Sequence, residues 1–201
     1  QLETKAGVAI FVSDKTDYQA VKRNKEGHYV LIKGSIQQED ITIINIYACN
    51  TRASECIKQI IHLKGETDCN TVIVGDFNTP LSVMTDHANK INKETLELNY
   101  TLNQIGLTDT YRTFHPTAAE YTLFSSVHGI LSRVDHILDQ KTSLNKFNKR
   151  EVISSIFSGH NEVKLEINNK GTLTGNFTDT WKLNNILVND KRANNKLTRT
   201  F

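Results

Sequence analysis

Residues 71–80 read TVIVGDFNTP, and no other stretch constrains the fold of this chain so sharply. Apolar and β-branched residues run into a glycine, then into Asp76 and Asn78, and Pro80 closes the segment. Such a run, bounded by glycine and proline, predicts a buried strand. The acid at its end is the difficulty, because a buried unpaired carboxylate costs several kcal/mol. Asp76 therefore needs a partner: a metal, a histidine or a water. In extended chain alternate side chains share a face, so Asp76 and Asn78 would meet one pocket at the carboxyl end of the strand while Phe77 returns to the core. An Asx turn, with both residues bonding nearby backbone ahead of Pro80, accounts for the same letters equally well.

Strand-like and helix-like segments alternate along the rest of the chain. GVAIFV (7–12) reads as a buried strand. HYVLIKGSI (28–36) and ITIINIYA (41–48) read as a hairpin joined by QQED. ASECIKQIIHLKG (53–65) carries Ile57, Ile60 and Ile61 at helical spacing. NKETLELNYTLNQIG (92–106) places Leu98, Leu102 and Ile105 on one helical face, with Asn92 as N-cap and Gly106 as the stop. YTLFSS, SRVDHIL, EVISSIF and EVKLEI are further strands, and NNKGTLTGNFTD after residue 167 reads as a linker. Helices between some strands and hairpins between others predict a layered α/β fold with mixed sheets.

The chain has 201 residues, enough for one domain with a sizeable core. No apolar run approaches the ~20 residues of a membrane helix, so no membrane partner is expected, and no obligate oligomer is evident. The net charge of +2 is too small to argue for nucleic acid by itself. Lys22, Arg23 and Lys25, then Lys146, Lys149 and Arg150, form small basic clusters that read first as solvated faces. Cys49, Cys56 and Cys69, without a CxxC pair or a signal peptide, fit reduced thiols in an intracellular protein.

More polar residues stand where strands should be apolar. SRVDHIL carries Asp135 and His136, with Arg133 as an available partner for the acid. SGH brings His160 to the start of EVKLEI, and NIYACNT ends a strand on Tyr47. Each has a bland structural explanation. Together, Tyr47, Asp76, Asn78, Asp135 and His160 all fall at or near strand ends, and their convergence would make a polar pocket suited to phosphodiester hydrolysis. A carboxylate takes the proton of an attacking water, an aspartate holds a histidine that donates to the phosphate, and phenol and amide bond its oxygens. A divalent metal offsets charge at the leaving oxygen.

GDFNTP, VDHI and Ser158-x-His160, in that order, resemble the endonuclease/exonuclease/phosphatase superfamily. KAGVAIFVSDKTD, KEGHYVLIKGSIQQEDITIINIYA, NKETLELN, YRTFHPTAAEYTLFSS and TWKLNNILVND are similar to the endonuclease domain of LINE-1 retrotransposon ORF2 proteins. The resemblance implies a DNase I-like, four-layered sandwich of two mixed β-sheets flanked by helices, lacking the first strands. It implies an endonuclease-type domain over 1–168, with 169–201 a linker and the start of a connection toward a reverse transcriptase, whose parent protein would also be an RNA-directed DNA polymerase.

By the same resemblance Asp76 orients or deprotonates the water, Asn78 helps position it, and Tyr47 meets the scissile phosphate. His160 is the catalytic histidine, Asp135 orients it, and Thr122 is a substrate-binding position near the DNA surface. The cofactor is Mg²⁺, with Asp76 a possible ligand. The partner is double-stranded DNA, nicked at T-rich sites opening onto A-tracts, in the nucleus and cytoplasm.

The chain departs from the family pattern in two ways that lead us to expect an impaired enzyme. It opens on Gln1 without the family's leading asparagine and glutamate motifs, the latter the main metal ligand, as a truncated copy would. The family's Ser-Asp-His reads Ser158-Gly159-His160, and losing one carboxylate from such a site costs on the order of 10²–10⁴ in rate. The alternative is a non-catalytic nucleic-acid-binding module.

Overall fold

The computed structural model describes residues 8–13, 16–23, 27–36, 39–47, 61–63, 65, 67–82, 93–125, 129–156, 158–167 and 181–183. In chain order these contain β1 (Asp17–Arg23), β2 (Tyr29–Ile36), β3 (Glu39–Tyr47), β4 (Thr71–Asp76), helix α1 (Lys93–Gln104) and β5 (Leu107–Asp109). Helix α2 (Thr110–Phe114), β6 (Leu123–Ser125), β7 (Ile130–Ser132), β8 (Asp135–Gln140), β9 (Phe147–Ile153), β10 (Glu162–Ile167) and β11 (Trp181–Leu183) follow.

Six strands form the main sheet in the order β1-β2-β3-β4-β8-β5. It is mixed: β3 and β4 run parallel, and the other pairs are antiparallel. A parallel pair needs a crossover between its strands, and the segment between β3 and β4 includes the helical residues 61–63, whose Leu63 is buried. A second sheet has the antiparallel order β11-β10-β9, and β6 and β7 form a short ribbon.

Strand alternation splits the main sheet into two apolar faces. Tyr29, Leu31, Ile44, Ile46, Ile73 and Leu138 form one face and pack with Phe77 and with Leu98 and Leu102 of α1. Val72, Val74 and Ile137 form the other and meet Phe147 of β9 and Val163, Leu165 and Ile167 of β10. The order is helix, sheet, sheet, which is the architecture of an α/β sandwich with mixed pairing. Burial on both faces explains why β4 reads as an unbroken apolar run rather than an alternating one.

β3 and β4 come close at Gly75, whose φ is 142°. A Cβ there would stand 1.9 Å from the carbonyl oxygen of Ile46. Only glycine allows this approach, and the approach fixes the position of the next residue, Asp76.

Several sequence expectations shift. Residues 8–13 are not in a strand, and Phe11 is exposed; the segment is tied to the main sheet where Asn45 Nδ2 donates to the Ala9 carbonyl. β1 has no apolar alternation to announce it, since Tyr18 and Val21 face outward from an edge strand. The β2–β3 hairpin is tighter than a four-residue loop, because Ile36 pairs with Glu39. β9 starts at Phe147, four residues earlier than EVISSIF implies, and residues 154–156 are not strand. Trp181–Leu183, beyond the expected domain end at 168, pairs with β10. The proposed N-cap Asn92 and most of helix 53–65 lie outside the described residues.

Candidate active site

The site is built from a row across three strands. Tyr47 at the end of β3 is in register with Asp76 at the end of β4, and Asp76 is in register with Asp135 at the start of β8. All three belong to the alternation set that faces the second sheet, beyond the apolar residues that hold the sheets together. The apolar pattern thus places three polar side chains at one open end of the inter-sheet layer.

His160 arrives from the other sheet. It precedes β10 and forms a bridge with Leu123 of β6. Its segment is held by Phe124 N donating to the Gly159 carbonyl at 2.8 Å and Asn161 N donating to the Thr122 carbonyl at 2.7 Å. Asn161 Nδ2 donates to the Tyr121 carbonyl, and Ser158 Oγ accepts from His160 N. In this position His160 Nδ1 lies 2.9 Å from Asp135 Oδ2 and donates to it. Ligand atoms of Asp76, Asp135 and His160 all lie within 4.8 Å of one another.

Asp76 and Asn78 are related by a turn and not by the alternation of extended chain. β4 ends at Asp76, Asn78 adopts φ 48°, and its amide N–H donates to Asp76 Oδ1 at 2.8 Å. Asparagine tolerates this left-handed conformation better than most residues. Phe77 is buried in the core as the sequence implied. The Asx turn is present: it bonds one carboxylate oxygen of Asp76 and leaves Asn78 exposed.

Thr122 does not lie at a surface. It is fully buried, and its hydroxyl oxygen accepts from Val134 N and Asp135 N, both at 3.1 Å. One hydroxyl thus serves two consecutive amides, Val134 just before β8 and Asp135 at its start. The residue acts from behind Asp135.

Electrostatics separate the roles of the two acids. Burial raises the Asp76 carboxyl to about 6, the neighbouring Asp135 adds to the rise, and the amide of Asn78 opposes it. The Asp135 hydrogen bond raises His160 above its ordinary value against the opposing effect of burial. For a hard divalent cation the two carboxylates are suitable donors and the imidazole is not. Asp135 is already engaged by His160 and by the Thr122-braced backbone. Asp76, desolvated beside a second acid, is the carboxylate a cation would relieve, and the residues fit a cation held by Asp76 with water and phosphate oxygens completing its shell.

Sequence reasoning missed a second polar network on the opposite face of β8. Asp109 accepts from Arg133 Nη2 at 2.9 Å and from His136 Nδ1 at 2.8 Å, and it caps α2 through Arg112 N. Burial alone would raise Asp109, but the His136 hydrogen bond and the charges of His136 and Arg133 hold it below its ordinary value. Arg133, one available partner for Asp135 in the sequence, is spent here instead. A signal was present in Arg133 and His136, polar groups within ILSRVDHIL, but not in Asp109, whose neighbours in GLTDTYRTF are mostly polar.

Several solved structures superpose on this fold. The endonuclease domain of TRAS1, a telomere-specific non-LTR retrotransposon, superposes with a TM-score of 0.63 at 15% identity, covering 82% of this chain and 79% of that one. The chain has the DNase I-like endonuclease fold. An AP endonuclease from Archaeoglobus fulgidus gives 0.61 at 16% identity, covering 77% and 72% of the two chains. The 3′ phosphatase NExo from Neisseria, bound to a product DNA hairpin, gives 0.61 at 18% identity over 77% and 72%. No protein-family model matches the chain. At these identities the likeness establishes the fold alone.

Proposed function

We propose that the chain hydrolyses phosphodiester bonds of duplex DNA, as a retrotransposon-type nicking endonuclease of the LINE-1 kind, and that Gly159 impairs it. The observation that carries this reading is the Asp76–Asp135–His160 cluster, two acids and an imidazole gathered between the sheets from distant parts of the chain. The nucleic-acid substrate is suggested by the Neisseria enzyme of similar fold bound to DNA and by the TRAS1 domain.

Asp76, once ionised, orients a water and accepts its proton as the water attacks phosphorus. The Asn78 turn sets the carboxylate against that water. His160, with Nδ1 committed to Asp135, presents Nε2 to a non-bridging oxygen and donates when the ring is protonated. Tyr47, in register with Asp76, hydrogen-bonds the same phosphate. Mg²⁺ at Asp76 would supply neutralisation of charge on the leaving oxygen. Ser158-Gly159-His160 lacks an acid next to the histidine, so the rate is low.

Relaxation of supercoiled plasmid with Mg²⁺ tests the reading. Slow nicking that disappears in Asp76→Ala and in His160→Ala is expected. Salt-dependent duplex binding with no nicking above the Asp76→Ala level would instead make the chain a non-catalytic binding module.

A further inference from the structure

The geometry points to His136 as a positioning residue for Asn78, acting through the backbone of the turn that carries it. This rests on the hydrolytic reading of the Asp76–Asn78 turn given above. Phe77, Asn78 and Thr79 leave the sheet, and Asn78 is exposed at φ 48° with its amide bonded to Asp76 Oδ1. Its neighbours on both sides are anchored. Phe77 N donates to the Val134 carbonyl at 2.9 Å, and the Phe77 side chain is fully buried. The Thr79 carbonyl accepts from His136 Nε2 at 3.1 Å. The Phe77 ring meets the imidazole edge-on, with centroids 5.6 Å apart at 72°.

The imidazole is itself fixed. Its Nδ1 donates to Asp109 at 2.8 Å, and Asp109 is gripped by Arg133 at 2.9 and 3.0 Å. The Arg133 guanidinium lies 4.2 Å over the Tyr111 ring. His136 is 2% exposed, so no solvent competes for either nitrogen. Both anchors of the turn therefore come from residues 134–136. Asp135 faces the second sheet and holds His160; His136 faces the helices and holds the loop bearing Asn78. Two consecutive residues on one strand set the separation of the two halves of the site. That is a role for the side chain of His136 beyond filling core.

His136→Phe keeps a ring against Phe77 and removes both hydrogen bonds; His136→Gln keeps one donor. In His136→Phe we expect kcat for Mg²⁺-dependent nicking to fall about 10- to 100-fold, with KM for duplex within about threefold. Adding Asn78→Ala should cost no more than Asn78→Ala alone, since both changes act on one group. His136→Gln should recover part of kcat. Independently of activity, hydrogen exchange at the Asn78 amide should quicken at least about tenfold while Ile73, central in β4, keeps its protection.

Unchanged exchange at Asn78 would overturn the inference, as would losses in kcat that multiply in the double variant. If the parent chain does not nick at all, the hydrolytic reading fails, and the exchange measurement still decides whether His136 holds the turn. If His136→Phe does not fold, His136→Gln carries both measurements.

Discussion

Asp76 and Asp135 stand directly opposite each other on adjacent antiparallel strands, both buried, and His160 meets Asp135 at 2.9 Å. Like charges in register destabilise a sheet, so this pair works against the fold when both are ionised. A cation, a proton or a phosphate-bound water relieves it. The pairing is a strained feature placed where chemistry is expected.

The strain has a pH signature. The folded-state Asp76 titrates near 6 and the buried Asp139 near 7, both pushed up from an ordinary 3.8 chiefly by burial. A carboxyl raised in the folded state contributes stability fully below its ordinary value, and that contribution is lost as pH rises through the raised one. In metal-free protein these two groups should lower stability between about pH 4 and pH 7. Asp139→Asn should be more stable than the parent at pH 8 by on the order of 2 kcal/mol and equal to it near pH 4. Urea melts at the two pH values measure this, and a gain at pH 4 as large as at pH 8 would refute it.

Nicking should follow a bell. The acid limb reflects ionisation of Asp76, at lower pH with a cation bound than in metal-free protein, and the alkaline limb reflects loss of the His160 proton above that histidine's ordinary value. Asp135→Asn keeps an acceptor for His160 Nδ1 but removes the negative charge that favours the protonated ring, and should pull the alkaline limb to lower pH. A plasmid-relaxation series across pH 5–9 reads both limbs.

Thr122→Val keeps size and removes the oxygen that serves two amides. Leaving Val134 N and Asp135 N unmet costs about 1–3 kcal/mol each. Thermal unfolding should register that loss, and DNA affinity should stay unchanged because the hydroxyl is buried. Weaker duplex binding with unchanged stability would place Thr122 at the DNA surface after all.

Gly159 is exposed, and a Cβ there would lie 3.1 Å from the Phe124 carbonyl oxygen, so a side chain requires a shift of a few tenths of an ångström. Gly159→Asp supplies the acid missing beside His160 and should raise nicking by about 10- to 1000-fold, with Gly159→Ala giving no gain. Equal rates in all three proteins would mean the glycine does not limit the reaction.

The strands that carry the site were legible because their cores are unambiguous. TVIVGD ends at Asp76 and EVKLEI starts at Glu162 in the structure as in the sequence. Helix 93–104 was legible from Leu98 and Leu102 at helical spacing, with Gly106 at φ 77° beyond its end. β5 and α2 were not, because three and five residues are too few for a period to be seen. β1 escaped because an edge strand with outward apolar residues lacks the alternation that marks a half-buried one.

From letters alone, Asp76, Asp135 and His160 stood out as polar groups that apolar strands should not contain, since each would be costly without a partner. What the letters could not decide was which partner each would take. Arg133 sits two residues from Asp135 in sequence yet serves Asp109, while Asp135 holds His160 twenty-five residues away. Arg133 precedes β8, where strand alternation no longer holds, and within β8 Asp135 and His136 turn to opposite faces. Hydrophobic periodicity is a local property of the chain and fixes the strands. Hydrogen-bond pairing between buried groups is settled only when the sheets stack and bring remote segments within 3 Å of one another.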